Sequence, residues 1–175
     1  MKVLLEAAGV PFMVVGSFAS AIHGEPRSTL GLDLVIEPTT ATLDHFLASI
    51  DMEAFHVDLD MARDALRARS MFDIIDMTSA WKVGLEIRKD RPFSIEELSR
   101  RSVQRVADID VPTASAEDTI IAKLEWAKEG NSERQLADVA GILRLRGEAL
   151  DRAYLEKWID TLELRVQWER ALALR

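Results

Sequence analysis

One short stretch constrains the fold of this chain more than any other. The apolar pair Val14-Val15 breaks at Gly16-Ser17, a run of small residues follows, and a second apolar run, Leu32 to Ile36, carries a carboxylate at Asp33. Pro11 to Val15 is short, apolar and bounded by Gly9 and Gly16, the pattern of a buried strand. Ser17 to His23 is rich in small residues and closes at Gly24, as a helix terminus does. Leu32 to Ile36 reads as the next strand, stopped by Glu37-Pro38. Gly16-Ser17 has two readings: a tight turn with Ser17 as a helix cap, or a phosphate cradle, because a helix N-terminus attracts anions.

Alternating extended and helical signals continue through the N-terminal half. Thr39 or Thr40 caps a helix through Leu43, Phe46, Leu47 and Ile50. Asp58 to Arg69 predicts another helix, and Phe72 to Met77 with Trp81 to Arg88 predicts a hairpin around Thr78-Ser79-Ala80. Ser94-Ile95-Glu96-Glu97 has the form of a capping box, and Val103 to Val111 reads as extended. After Pro112 the period becomes helical. Ser115 caps a helix bearing Ile120, Ile121, Leu124 and Trp126 and ended by Gly130. Asn131 or Ser132 caps the next, through Leu136, Val139, Ala140 and Leu143 to Gly147. Two more helices hold Tyr154, Leu155, Trp158 and Ile159, then Val166, Trp168 and Leu172. Trp126, Trp158 and Trp168 read as core or interface anchors. The expectation is an α+β chain: an α/β core with a mixed sheet and flanking helices over 1–112, and a helical subdomain over 113–175.

With 175 residues, 48% hydrophobic and 30% charged, the chain is globular rather than disordered. It has no cysteine, which excludes disulfides, thiolate metal sites and cysteine nucleophiles. A net charge of −8 argues against nucleic acid as partner, since phosphate contacts dominate such affinity. No apolar run approaches the ~20 residues that span a bilayer, and the opening residues reach Glu6 too soon for a secretory leader. A cytoplasmic protein is expected; its oligomeric state is not readable.

The motif Val14-Val15-Gly16-Ser17 with Arg27-Ser28-Thr29-Leu30-Gly31-Leu32-Asp33 resembles the nucleotidyltransferase superfamily, whose core is shared with the DNA polymerase beta-like enzymes. Phe72-Asp73-Ile74-Ile75-Asp76, Trp81 to Phe93, Ser115-Ala116-Glu117-Asp118, Ala122 to Trp126 and Ser132 to Val139 extend the likeness over nearly the whole chain. They resemble a bacterial branch of uncharacterised nucleotidyltransferase-like proteins, whose relatives include antitoxin-associated and abortive-infection nucleotidyltransferases.

The resemblance implies a Gly-Ser turn that grips nucleotide phosphates and an Asp-x-Asp strand that holds two Mg²⁺ ions. It implies a third carboxylate on a later strand. Here the second aspartate is Asp33, the implied catalytic and metal-binding residue, but the first position is Gly31. The third falls at Gly84. Two Mg²⁺ ions must align the attacking hydroxyl with the triphosphate and neutralise phosphoryl charge, and Asp33 alone is a poor bridge for a pair. Glu86 lies on the same strand face as position 84, about 7 Å further along at ~3.3 Å per residue, and is the candidate substitute ligand. Asp73 and Asp76, three apart, face opposite sides of a regular strand; a strand edge or a turn is the expected place for both. The nucleotide-binding set implied is Gly16, Ser17, Arg27, Thr29, Lys123 and Arg134, with Thr29 also readable as structural and the two later cations as solvated helix charges. Asp138, four residues after Arg134, is positioned to pair with it.

Two functions follow from the likeness. One is a degenerate member that binds an NTP or a protein partner with little or no transfer. The other is an active Mg²⁺-dependent enzyme moving a nucleotidyl group to a protein, tRNA or small molecule through Asp33 with Glu86. A cleft bounded by Gly16, Ser17, Arg27, Asp33 and the Gly84 strand, approached by Lys123 or Arg134, is expected in either case.

Overall fold

The computed structural model describes residues 1–26, 28–29, 31–106 and 108–175. These form two compact units, one of Met1–Val15 with Thr29–Thr113 and one of Gly16–Ser28 with Ala114–Arg175.

The first unit contains a seven-stranded mixed sheet: β1 (Phe12–Val15), β2 (Gly31–Ile36), β3 (Phe55–Val57), β4 (Met71–Asp76), β5 (Lys82–Ile87), β6 (Ser102–Val106) and β7 (Ile109–Thr113). Their order is β3-β4-β5-β2-β1-β7-β6. β2 runs parallel to β5 and β1 parallel to β7, and the remaining neighbours are antiparallel. Strand alternation gives the sheet two unlike faces. On one, Val14, Leu34, Leu85 and Phe72 lie in a single cross-strand row, and all four are buried. Each such side chain contributes about 1.5–3 kcal/mol by leaving water. The other face is polar toward the β4–β5–β2 end.

The helices of this unit are α1 (Lys2–Ala7), α3 (Thr40–Ala48), α4 (Leu59–Ala68) and α5 (Pro92–Ser99). Thr39 caps α3 in a reciprocal capping box with Thr42, and Asp58 caps α4 through the amides of Asp60 and Met61. Two expectations change. Ser94 does not open α5: Pro92, with its fixed φ, starts the helix one turn earlier, and the Ser94 hydroxyl accepts from Arg91 instead. The extended run from Val103 is a hairpin, β6–β7, rather than one strand. β3, three residues long with a histidine at its centre, is too short to show a period, and α1 has only six residues.

The second unit is helical: α2 (Gly16–His23), α6 (Ala116–Gly130), α7 (Glu133–Arg146), α8 (Arg152–Thr161) and α9 (Arg165–Ala173). Ser115 caps α6 by accepting from the Asp118 amide, as its sequence position suggests. Ile120, Ile121, Leu124 and Ala127 on α6 pack with Leu136, Val139 and Leu143 of α7, and Trp158 and Trp168 are buried from α8 and α9. Trp126 is not an anchor in the core. It is 50% exposed, because two residues beyond Leu124 a helix has turned about 200° away from the buried stripe. Among the described residues no helix is long and apolar enough to cross a membrane.

Candidate functional site

β1 ends at Val15, and the next residue, Gly16, opens α2 with φ +63°, a left-handed conformation that a side chain would strain. The Gly-Ser turn of the sequence is therefore a real strand-to-helix corner. The Ser20 hydroxyl donates to the Ser17 carbonyl at 3.0 Å within the first turns of α2. Arg27 lies outside the described residues. Thr29 precedes β2 rather than lying on it, and its hydroxyl donates to the Gly31 carbonyl at 3.1 Å, a turn-stabilising role.

Asp33 sits opposite Val15 on β1 and opposite Gly84 on β5, and Gly84 in turn faces Asp73 on β4. Register partners share a sheet face, so Val15, Asp33, Gly84 and Asp73 form one row on the polar side. Sequence reasoning put Asp73 at an edge or in a turn. It is instead mid-strand, directly across Gly84 from Asp33, and only the pairing register reveals this. Asp76 is the last residue of β4, where the Thr78 and Ser79 amides of the following turn donate to its carboxylate and hold its pKa below the usual value.

The glycines at 31 and 84 differ sharply in the space around them. A Cβ on Gly31 would meet the Lys82 backbone carbonyl oxygen at 2.8 Å, so β5 is packed against that position. A Cβ on Gly84 would meet only side-chain atoms closely: Asp33 Oδ1 at 3.0 Å and Asp73 Oδ1 at 3.5 Å. One oxygen of Asp73 receives the Lys82 ammonium at 3.1 Å, and the other, Oδ1, is buried without a hydrogen-bond partner. Glu86 shares the face one row along, between Val35 and Met71, and its carboxylate lies 3.3 Å from the Lys89 ammonium.

In the helical unit, Lys123 is 3% exposed and donates to Asp138 at 2.7 Å and Gln135 at 2.8 Å. Asp138 thus pairs across to α6 rather than along α7 with Arg134, which is exposed. Lys128 donates to the Leu162 and Glu163 carbonyls at the end of α8. A cleft of about 220 Å³ in this unit has Ser20, Asp138 and Gly141 among its walls, with the bidentate Glu25–Arg144 pair at 2.8 Å.

The resemblance implies two divalent ions, and the residues present do not fit two. Position 31 has no side chain and no room for one as β5 stands. Among the described residues no group of three or more His, Asp or Glu converges on a metal-sized point.

Neither protein-family models nor curated proteins give a match to this chain. Solved structures do. The solution structure of the antibiotic-resistance factor ANT(2'')-Ia is 14% identical with a TM-score of 0.58, over 94% of this chain and 88% of that one. An antigenic nucleotidyltransferase-like protein from Paracoccidioides brasiliensis is 16% identical with a TM-score of 0.58, over 98% and 88%. The lincosamide antibiotic adenylyltransferase LnuA, bound to lincomycin, is 10% identical with a TM-score of 0.53, over 79% and 89%. The chain has the nucleotidyltransferase-like fold.

Proposed function

We propose that this chain is a degenerate nucleotidyltransferase-like protein of the cytoplasm, of the branch with antitoxin and abortive-infection relatives. It binds a nucleotide or a protein partner and transfers weakly or not at all. The observation that supports this reading is the crowding at Gly31, where a Cβ would come within 2.8 Å of the Lys82 carbonyl oxygen, so that a first carboxylate of an Asp-x-Asp pair could enter only if β5 shifted. Gly16 and Ser17 are the phosphate-side groups in this reading, with Arg27 as their cation and Thr29 holding the approach to β2. Of the two later cations, Arg134 is exposed, whereas the charge of Lys123 is already met by Asp138.

The test is incubation of the whole chain with labelled ATP, CTP, GTP or UTP, Mg²⁺ or Mn²⁺ and a lysate, alongside thermal melts with each nucleotide. Stabilisation by an NTP without label transfer supports the reading. Transfer that Asp33→Asn abolishes replaces it with the alternative, an active enzyme using Asp33 with Glu86; the shared sheet face of those two carboxylates supports that alternative.

A further inference from the structure

We infer that β6 is a docking edge for a second copy of this chain: two β6 strands pair antiparallel about a two-fold axis. The inference goes beyond the nucleotide-binding reading and does not depend on it. β6 ends the strand order of the sheet, and Ser102, Val103 and Arg105 on it are exposed, Val103 at 66%. Sheet edges are commonly guarded by shortness, proline or a bulge. β3, at the other end, has three residues, whereas β6 has five in unbroken register with β7. The proline of this hairpin, Pro112, stands on the inner strand β7, opposite Val103. Having no N–H to give, it marks Val103–Pro112 as a pair of the non-hydrogen-bonded kind. By alternation the Arg105–Asp110 pair is of the same kind. Val103 and Arg105 therefore turn their N–H and C=O groups away from β7, to the open edge.

Charge identifies the occupant. The edge is bipolar: Arg100 and Arg101 precede β6, and the wholly exposed Asp108 stands in the turn after it. Antiparallel pairing of two copies lays the basic start of each strand beside the acidic turn of the other. It does so twice, as a two-fold contact requires. Charge also selects the register, since outward groups match only in steps of two residues. One step sets Arg105 against Arg105 of the second copy and another sets Arg101 against Arg105, and like charges directly opposite are destabilising. The register between them sets Val103 against Arg105 of the second copy, whose aliphatic stem then covers the exposed valine. Gln104 meets its own counterpart there, and two amides can exchange hydrogen bonds.

The experiment is sedimentation equilibrium of the whole chain over a range of concentrations, at low salt. A short strand pair makes a small interface, so a dimer that dissociates on dilution is expected, of the class below ~1,200 Å². Arg105→Pro removes an outward N–H from each copy without taking a bond from β7, and is expected to weaken the dimer at least about tenfold. Asp108→Arg and Arg101→Asp are each expected to weaken it when alone, and a one-to-one mixture of the two chains is expected to dimerise again. Thermal melts at dilute concentration check the fold of each variant. Should proline lower the melt, the charge exchange, which leaves the backbone unaltered, decides. A parent chain that stays monomeric at every concentration up to about 1 mM overturns the inference. So does a correctly folded Arg105→Pro chain that dimerises as the parent does, or a mixture that associates no better than its parts.

Discussion

The two units hold their carboxylates differently, the helical unit burying Asp118 and Asp138 whereas Asp73 of the sheet unit stays 38% exposed. In the helical unit Asp118 is wholly buried and receives the Tyr154 hydroxyl at 2.5 Å and the Ser115 hydroxyl at 2.6 Å. Asp138, its side chain 9% exposed, meets Lys123 at 2.7 Å. In the sheet unit Asp73 has one oxygen on Lys82 and the other orphaned over Gly84. A saturated buried network fixes a fold. An unsaturated oxygen on a half-exposed carboxylate adds no such constraint, because water reaches the group. The helical carboxylates are held by donors from the fold itself, whereas Asp73, its side chain 38% exposed, is held through one oxygen by the exposed Lys82.

The comparison breaks most readily at Lys123. Replacing it with methionine removes the ammonium that Asp138 meets at 2.7 Å, and breaking a buried pair costs about 3–5 kcal/mol. Urea denaturation of Lys123→Met is expected to show a loss of that order, with much of it recovered in the double variant Lys123→Met/Asp138→Leu. A Lys123→Met chain as stable as the parent would mean that the pair is not a structural element, and would return Lys123 to the nucleotide-binding set.

The unequal legibility of the two regions follows from the same physics. Helix caps at Thr39 and Ser115 and the helix start at Asp58 are local, so sequence alone reveals them. The strands β1, β2, β4 and β5 announce themselves because each buries a full face. Lys123 is harder to read: its burial follows from helical spacing with Ile120 and Ala127, but the partner that tolerates it comes from α7. Asp73 is hardest, since its part in the row depends on the register of β4 against β5, which no local pattern encodes. The unlike surroundings of Gly31 and Gly84 are invisible in sequence for the same reason.

Next in size is Tyr154→Phe, which removes a donor from buried Asp118 while keeping the ring. A loss of about 1–3 kcal/mol is expected from the oxygen left short of a partner, measured by the same denaturation. Tolerance of the change within experimental error would show that the remaining partners of Asp118, Ser115 among them, satisfy it. In the sheet unit, Gly31→Ala is expected to cost about 1–3 kcal/mol, because the clash is with backbone and must be relieved by moving β5. Gly84→Ala is expected to stay within about 1 kcal/mol, since a carboxylate end can yield and alanine is better than glycine in a strand. Equal costs at the two positions would remove the distinction between a sealed and an open glycine.

The smallest effect concerns His23, another buried titratable group of the helical unit. Its Nε2 lies 2.7 Å from the Ala114 carbonyl, an arrangement in which the ring donates. Burial pushes its pKa below 6.5, the nearby Arg146 acts in the same direction, and the Ala114 contact and Glu117 oppose them. The folded state therefore prefers the neutral ring. The unfolded chain binds the proton more readily, so the stability this group contributes is complete above pH 6.5. It is lost as the pH falls from there through the lowered folded value. Thermal melts between about pH 7.5 and about pH 5.5 should show the parent losing stability on acidification while His23→Gln, which keeps a donor for Ala114 without titrating, loses less. Parallel melting curves for the two proteins would show that His23 is held for packing alone.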